Sequence, residues 1–582
     1  MRALIASRAA PTRASPVAHK FIFLLAVCLA AIVPALLAYN QPPSSTLINQ
    51  CLAAGLWGGV VLALQPARLS LRGGALQAAL ALVMLSAWGS WYFGGLPASL
   101  TLSSLGMLLC AMALAWAGIE AARQQGAVHS FAAFCAGLAA AGVLSALVAL
   151  VQVFAPQWAD GNLIAHSGLV GRAVGNLRQP NHLCSLLLWA VIAVVALREL
   201  GWLSLRLAAP AVVLLVFAVE LSASRTGAAG LLLLLLWGVF DKRLSPGTRW
   251  LLVATPLIYA VSYGAMLGWG AIQHQAVGAE ARLATAGGIE SPNARPRIWA
   301  NAVALIRAQP WTGVGYGEFN FAWSLTEFPG RPTAFFDHTH TLPLQLAVEL
   351  GLPLAAAVMA LLGVALWQAW RRSRRASGDV ARAGAAAAVM VAMIGLHSLV
   401  EYPLWYGYFL LPAAFAWGFA LGVPARDPLP DRRGPAGWAV GGVIVLGSAL
   451  ALVDYLRIVE IFAPGEHSAP LPERIVRGQR SPLFGYHADY AAATVADPQP
   501  GRDLAFRRAP HYLLDTRLMI AWAKYLEQRG EVDKARALAA RLREFANPDA
   551  DEFFAPCKSG HSREFQCFGP QAPHPWREFI TR

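Results

Sequence analysis

The chain runs to 582 residues with a hydrophobic fraction of 57%, a charged fraction of 13% and a mean hydropathy of +0.49. Such a composition excludes a water-soluble globule with a polar surface and points to a polytopic membrane protein. The formal net charge of +14 sits largely in short loops between apolar runs, which accounts for it without a nucleic-acid partner.

Runs close to the roughly 20 residues that cross a bilayer recur through the first 456 positions. In chain order they are Phe21 to Tyr39, Leu47 to Leu64, Ala75 to Phe93, Leu100 to Ile119, Ser130 to Phe154, Leu183 to Leu197, Leu207 to Leu221, Gly227 to Phe240, Trp250 to Trp269, Leu342 to Trp370, Ala383 to Val400, Tyr406 to Val423 and Gly437 to Leu456. The expected fold is therefore an all-α polytopic membrane helix bundle of about 12 to 13 spans. Residues 1–20 are expected to be a cytoplasmic N-terminus, 21–456 the transmembrane domain with a long outer loop at 270–341, and 457–582 a small helical region outside the membrane. The first run exceeds the apolar stretch of a usual signal peptide and reads as a retained helix.

Short cytoplasmic loops collect Lys and Arg. With the N-terminus (Arg2, Arg8, Arg13, Lys20) inside, every second connection should be basic, and it is: Arg68 and Arg72; Arg123; Arg198 and Arg206; Lys242, Arg243 and Arg249; Arg371 to Arg382; Arg426, Arg432 and Arg433. The short opposite loops, Asn40 to Thr46 and Gly94 to Ser99, carry no Lys or Arg. Arginines on the outer side break this pattern: Arg172 and Arg178 before the Leu183 span, Arg225 between two short spans, and Arg295 and Arg297 in the long loop. Ionisable groups set close against membrane helices are functional candidates, and guanidinium forks bind phosphate oxygens in bidentate fashion. A pyrophosphate at the membrane surface suits such a cluster; a snorkelling Arg225, or one paired with Glu220, is the structural alternative.

Three stretches carry a family likeness. Gly175-Asn176-Leu177-Arg178-Gln179-Pro180-Asn181-His182 opens a membrane helix; Arg297-Ile298-Trp299 precedes Pro310 to Phe319; and Asp337-His338-Thr339-His340 precedes Leu344 to Gly351. In that order and on one side of the membrane they resemble the O-antigen ligase superfamily. Gln179-Pro180-Asn181 and His397 to Trp405 most resemble its protein O-oligosaccharyltransferases of the PglL type. The likeness spans about Arg172 to Trp405 by motif, with Thr341 standing where such proteins commonly have Asn.

The resemblance implies a GT-C-like bundle in the bacterial inner membrane with its active site and C-terminus periplasmic. A glycan preassembled on undecaprenyl pyrophosphate would pass to a Ser/Thr hydroxyl of a pilin-like or other periplasmic protein, with no metal or other cofactor. Such a transfer needs a base for the acceptor proton and fixed charge for the leaving pyrophosphate. His340 is the expected base. It lies just before a helix start marked by Pro343, where the helix dipole favours a neutral imidazole. The expected substrate contacts are Arg172, Arg178, Arg225 and Arg297 for the pyrophosphate, with His338, Gln179, Asn181 and Glu401 around them. Asp337 either orients an imidazole or caps a turn, and Glu401 either receives the acceptor or ties helices together. Glu349 lies too deep in its helix to touch the sugar and is expected to pair with another helix, through Gln345 on the same face. Tyr402, Trp405, Tyr406 and Tyr408 fit an interfacial aromatic belt.

Gly313, Gly315 and Gly317 lack the strand and helix of a nucleotide cradle and read as a turn that folds the long loop over the site. Asp549-Ala550-Asp551 reads as a solvated turn. Two apolar-periodic arms from Asp515 to Phe545 meet at Arg529-Gly530-Glu531, a hairpin resembling one tetratricopeptide unit. Its expected role is acceptor recruitment or capping of the membrane domain. Cys557 and Cys567 share an oxidising compartment in this topology and are disulfide candidates. A ligase acting on lipid A core, or a Wzy-type polymerase, would use the same chemistry. A lipid-linked-glycan transporter belongs to another class and would place its polar site near the midplane between repeats.

Overall fold

The computed structural model describes residues 16–67, 73–274, 276–278, 294–424, 433–495, 501–559 and 562–580. Arg2, Arg8, Arg13, Arg68, Arg72, Arg426 and Arg432, on which part of the charge alternation rests, lie outside them.

The described residues form helices joined by turns, with no strand among them beyond one isolated bridge between Pro66 and Arg433. In order they are α1 (Pro16–Leu36), α2 (Leu47–Leu64), α3 (Gly74–Gly89), α4 (Ala98–Arg123), α5 (Ala127–Phe154), α6 (Pro180–Glu199), α7 (Leu205–Ser222), α8 (Arg225–Phe240), α9 (Pro246–Val253), α10 (Thr255–Gln273), α11 (Ala294–Ala308), α12 (Phe319–Leu325), α13 (Leu342–Leu350), α14 (Leu352–Arg375), α15 (Gly378–Ser398), α16 (Gly407–Gly422) and α17 (Pro435–Phe462). The tail adds α18 (Leu471–Gln479), α19 (Gly485–Thr494), α20 (Arg502–Tyr512), α21 (Thr516–Gln528) and α22 (Val532–Phe545).

Every apolar run read from the sequence falls on helix. Among the described residues ten helices are long and apolar enough to cross a membrane, α9 and α10 make an eleventh as a pair bent by 40°, and α8 and α16 are shorter apolar helices. The protein is a polytopic all-helical membrane bundle.

One run is corrected. The stretch Leu342 to Trp370 is two helices, because Gly351 adopts φ +77° and a Cβ there would sit 2.4 Å from the carbonyl oxygen of Trp311. The Leu352 amide donates instead to the Pro310 carbonyl at 2.7 Å, so the chain turns and Pro353 restarts it as α14. The Gly313–Gly317 turn docks on this break: the amides of Val314 and Gly315 donate to the carbonyls of Val348 and Glu349, each at 2.9 Å. It folds the long loop onto α13, as its glycines suggest.

Helix α6 is the centre of the bundle, with 94% of its spanning window buried, whereas α17 is only 11% buried and presents its apolar surface outward. Helices α4 and α16 approach to backbone contact. A Cβ on Gly418 would lie 2.0 Å from the Ala115 carbonyl oxygen, and one on Gly422 would lie 2.4 Å from that of Ile119. Small residues at this four-residue spacing let membrane helices pack without intervening side chains. Since neither backbone can yield, Gly418→Val is expected to cost at least the ~1–3 kcal/mol of an overpacked core. A lowered thermal midpoint and a lower folded yield in detergent would register it.

A second apolar core lies beyond one end of the bundle. There Phe319, Phe321 and Trp323 of α12 are buried together with Trp522 and Phe545 of the tail and Tyr455 of α17. Each such aromatic contributes roughly 1.5–3 kcal/mol when fully buried. The tail and the long loop therefore form one body.

Candidate functional site

Three helix N-termini meet at the end of the bundle under this second core. Helix α6 begins with Gln179 as N-cap, its Oε1 accepting from the His182 amide at 2.7 Å, and with Pro180 in the first turn. Ahead of it, buried Gln152 holds the turn by accepting from the amides of Val174 (3.0 Å) and Gly175 (2.8 Å). Helix α8 begins after Ser224, whose hydroxyl accepts from the Gly227 amide at 3.3 Å. It lies tight on α6 because Gly227 has no side chain: a Cβ there would strike Cys184 Sγ and Val219 at 2.8 Å. Helix α13 begins after Thr341.

Side chains tie these ends together. Ser224 Oγ donates to Asn181 Oδ1 at 2.6 Å, and Asn181 Nδ2 donates to Glu401 Oε1 at 2.9 Å. Glu401 also pairs with Arg295, and its Oε2 lies 3.0 Å from His340 Nδ1. With its side chain only 4% exposed, Glu401 is the hub on which all three ends converge. Of the two roles open to it in the sequence, it ties helices together, and it orients His340 in doing so.

An ionised carboxylate only accepts, so the proton on His340 sits on Nδ1 and Nε2 is left with its lone pair. Burial pushes the Glu401 carboxyl up, but the bond from His340 and the neighbouring Arg295 guanidinium outweigh it and hold the pKa at about 2. Burial lowers the His340 pKa below its ordinary 6.5, against the opposing pull of Glu401. The imidazole is thus neutral at pH 7. His340 also adopts φ +57°, a left-handed conformation uncommon for a residue with a side chain. Such backbone persists where the surroundings over-determine it, and it clusters at functional sites.

Those surroundings are visible. Thr339, the residue before, is gripped on both sides: its amide donates to Gln345 Oε1 at 2.7 Å and its carbonyl accepts from Trp299 Nε1 at 2.9 Å. Gln345 in turn donates to Glu349 at 2.9 Å, so this partner of Glu349 lies on its own helix and not on another. Burial pushes the Glu349 carboxyl up to about 8, so it is a neutral, structural partner. His338 is buried between Tyr402, the His340 ring at 4.5 Å and the Asp337 carboxylate. Asp337 therefore contacts an imidazole, that of His338.

The arginines divide into two kinds. Arg172 is buried and is held on the carbonyl of Ser222, at 3.3 Å from Nη2 and 3.4 Å from Nε. It braces the turn between α7 and α8. Arg178, Arg225 and Arg297 are exposed. Arg178 gives one bond to the Ala38 carbonyl at 2.6 Å; Arg225 is exposed at the start of α8, and Glu220 is buried in α7. Arg225 stands next to Ser224 and so beside the Asn181–Glu401–His340 cluster.

Sequence reasoning did not single out Arg295, Ser224 or Gln152 as site residues. The inward turn of three aromatics was also unexpected. Tyr402 lies on His338, and Tyr406 and Tyr408 pack on the buried His182, with the Tyr406 ring at 4.5 Å; only Trp405 is exposed as a belt residue would be. Donor atoms of His338, His340 and Glu401 lie within 4.8 Å of one another, a set able to take a divalent ion. Such an ion would compete with Arg295 and with the His340–Glu401 bond for the same carboxylate.

The arrangement offers a neutral imidazole with a free nitrogen, oriented by a carboxylate, where three helix N-termini meet and with exposed Arg225 next in sequence to Ser224. Three helix N-termini add about half a positive charge each. It can deprotonate a hydroxyl and stabilise a departing anion at one end of a membrane bundle.

Three family models match the chain: O-antigen ligase over residues 210–359, virulence factor membrane-bound polymerase, C-terminal, over 385–505, and protein glycosylation ligase over 173–197. The chain is 26% identical over 328 residues to a general O-oligosaccharyltransferase of Acinetobacter baylyi, covering 55% of each protein. It thus spans about half the length of the curated relative it matches. The matched segments contain Arg178, Arg225, His340 and Glu401, so the likeness to O-antigen ligases and protein glycosylation ligases covers the site itself as well as the helical membrane bundle around it.

Proposed function

We propose that the chain is a glycosyltransferase that moves a preassembled oligosaccharide from undecaprenyl pyrophosphate to a Ser/Thr hydroxyl of a pilin-like or other periplasmic protein. The observation that carries this is the His340–Glu401 pair, 3.0 Å apart, set where helix N-termini and exposed arginines would receive a diphosphate. In the reaction the acceptor oxygen bonds to the anomeric carbon as the bond from that carbon to the pyrophosphate oxygen breaks. The acceptor proton passes to His340 Nε2, and the bonding pair leaves on the pyrophosphate. Glu401 stabilises the imidazolium so formed. Arg225 and Arg178 supply fixed positive charge to the leaving group, Arg297 lying on the face of α11 turned away from Glu401, while the apolar flanks of the bundle meet the polyprenyl chain. Arg172 serves through the turn it braces.

The disulfide between Cys557 and Cys567 supports a periplasmic tail, since such bonds persist in oxidising compartments. It agrees with the loop-charge topology, which puts the site on the same face. A protein acceptor is favoured over lipid A core or a growing glycan by the glycosylation-ligase match and the Acinetobacter relative. The test is to incubate the purified protein with undecaprenyl-pyrophosphate-linked glycan and, in parallel, a pilin-like protein or lipid A core. Glycan on the protein supports the proposal; glycan on lipid A core alone would make the chain an O-antigen ligase.

Glu401→Gln keeps the shape of the hub but removes its charge. Transfer is expected to fall on the order of 10²-fold, within the range of general acid–base catalysis. The pH profile supplies the sign. A base works when neutral, so wild-type kcat/KM should fall only as pH drops through a value below 6.5. Because Glu401 raises the His340 pKa, the acidic limb of Glu401→Gln should lie lower still while its plateau is reduced. A limb shifted upward would show that Glu401 does not act on His340.

A further inference from the structure

The C-terminal helical hairpin touches the chain segment that leads into His338 and His340, and touches it at many points. Asn320 is the joint. Its buried side chain accepts from the Leu514 amide at 2.7 Å and donates to the carbonyl of Phe336 at 2.9 Å, so one amide group bonds the tail and the segment at once. Four residues beyond Phe336 lies His340, and the Phe336 ring stands 5.5 Å from the His340 ring. One residue before it, Phe335 stacks on Phe545 at the end of α22, with ring centroids 3.8 Å apart and planes at 16°.

Upstream the grip continues through charge. Arg331, its side chain fully buried, pairs with Glu544 at 3.0 Å and lies over the Phe545 ring at 4.4 Å, and Glu544 also accepts from the Phe328 amide at 3.2 Å. Breaking this pair from the Glu544 side would leave the fully buried Arg331 charge without compensation. Buried His511, with Nδ1 2.8 Å from Glu318 Oε2, anchors the tail two residues before Asn320. A cap over the membrane domain would need apolar contact with the bundle. It would not need a hydrogen bond to the Phe336 backbone, four residues ahead of the base, nor a ring stacked on Phe335.

We infer that the hairpin is part of the catalytic apparatus: through Asn320 and Phe545 it fixes the 335–341 segment so that His340 keeps its left-handed backbone and its bond to Glu401. Asn320 and Phe545 are positioning residues. The inference rests on the transferase reading for its kinetic consequence, but its geometric content stands apart from it. None of the exposed arginines lies in the 335–341 segment, so loosening that segment should slow the chemical step and leave donor binding alone.

The test uses the full-length protein in detergent with Asn320→Ala, Phe545→Leu and Phe545→Tyr, the last keeping the stacking ring. Two quantities are read: amide hydrogen exchange over 335–341, and kcat and donor KM with undecaprenyl-pyrophosphate-linked glycan and a pilin-like acceptor. In Asn320→Ala and Phe545→Leu exchange should quicken about tenfold or more and kcat fall by about as much, since misplacing reacting groups by about 1 Å costs on the order of 10²-fold. Donor KM should stay within about twofold by the same separation of positioning from binding, and Phe545→Tyr should match the wild type in both. Exchange unchanged in Phe545→Leu, or a loss confined to donor KM, would overturn the inference. Should the wild type transfer nothing while exchange still responds, the transferase reading fails and the positioning stands; should Asn320→Ala not fold, the Leu and Tyr variants at 545 decide alone.

Discussion

His340→Ala should abolish glycan transfer, lowering the single-turnover rate by about 10²–10⁴-fold, the range supplied by a positioned general base. Membrane insertion and abundance should be unchanged, because His340 is only partly buried and its loss does not open the apolar core. Donor affinity should also survive, since the exposed arginines are untouched. The reason to expect so large a loss is that no other imidazole in the cluster is placed to substitute. His338 is buried against Tyr402 and Asp337, and His182 and His397 lie behind the tyrosines, His397 bonded to Ser185. A variant that transfers at the wild-type rate would remove the base assignment.

Arg225→Ala is expected to lower kcat/KM for the lipid-linked donor by about 10²-fold, comparable to removing one donor from a preorganised anion site. Arg225→Lys should recover only part, because it restores the charge but not the planar fork that grips phosphate oxygens. Arg172→Ala should behave differently. Its guanidinium is buried on the Ser222 carbonyl, so removing it leaves a buried acceptor without its donor, at roughly 1–3 kcal/mol of stability. Arg172→Ala should therefore show as a lower thermal midpoint and folded yield, Arg225→Ala as a kinetic loss in a protein that melts normally. Unchanged donor kinetics in Arg225→Ala would give that arginine a structural role.

The membrane architecture was legible because bilayer thickness imposes a length on every apolar run, and no tertiary contact needs to be known to read it. Where reading failed, a contact with another segment decided. Gly351 looks like a tolerable glycine inside one long span until Trp311 is seen to press on it. His340, Asn181 and Glu401 each carried a local signal, a helix start or a span end, but their partnership joins positions 61 and 220 residues apart, which no spacing rule reaches. Arg295 and Arg297 occupy one loop and look alike in sequence; on α11 they point roughly 200° apart at 100° per residue, and the one facing Glu401 is Arg295. That Gln345 and Glu349 share a face was legible because helices bring fourth neighbours together, though the bond they make is with each other and not across to another helix. The tail's hold on the His340 segment was not, since Asn320 and Leu514 are 194 residues apart.

If His340 and Glu401 act as one unit on the acceptor proton, the effects of substituting them cannot be independent. Single-turnover transfer rates of the wild type, His340→Ala, Glu401→Gln and the double variant test it most directly, because residues that act together lose their function once and not twice. Glu401→Gln should cost on the order of 10²-fold in the wild-type background and nothing further once His340 is Ala. Losses that multiply, with Glu401→Gln costing as much without His340 as with it, would show that the two residues act separately.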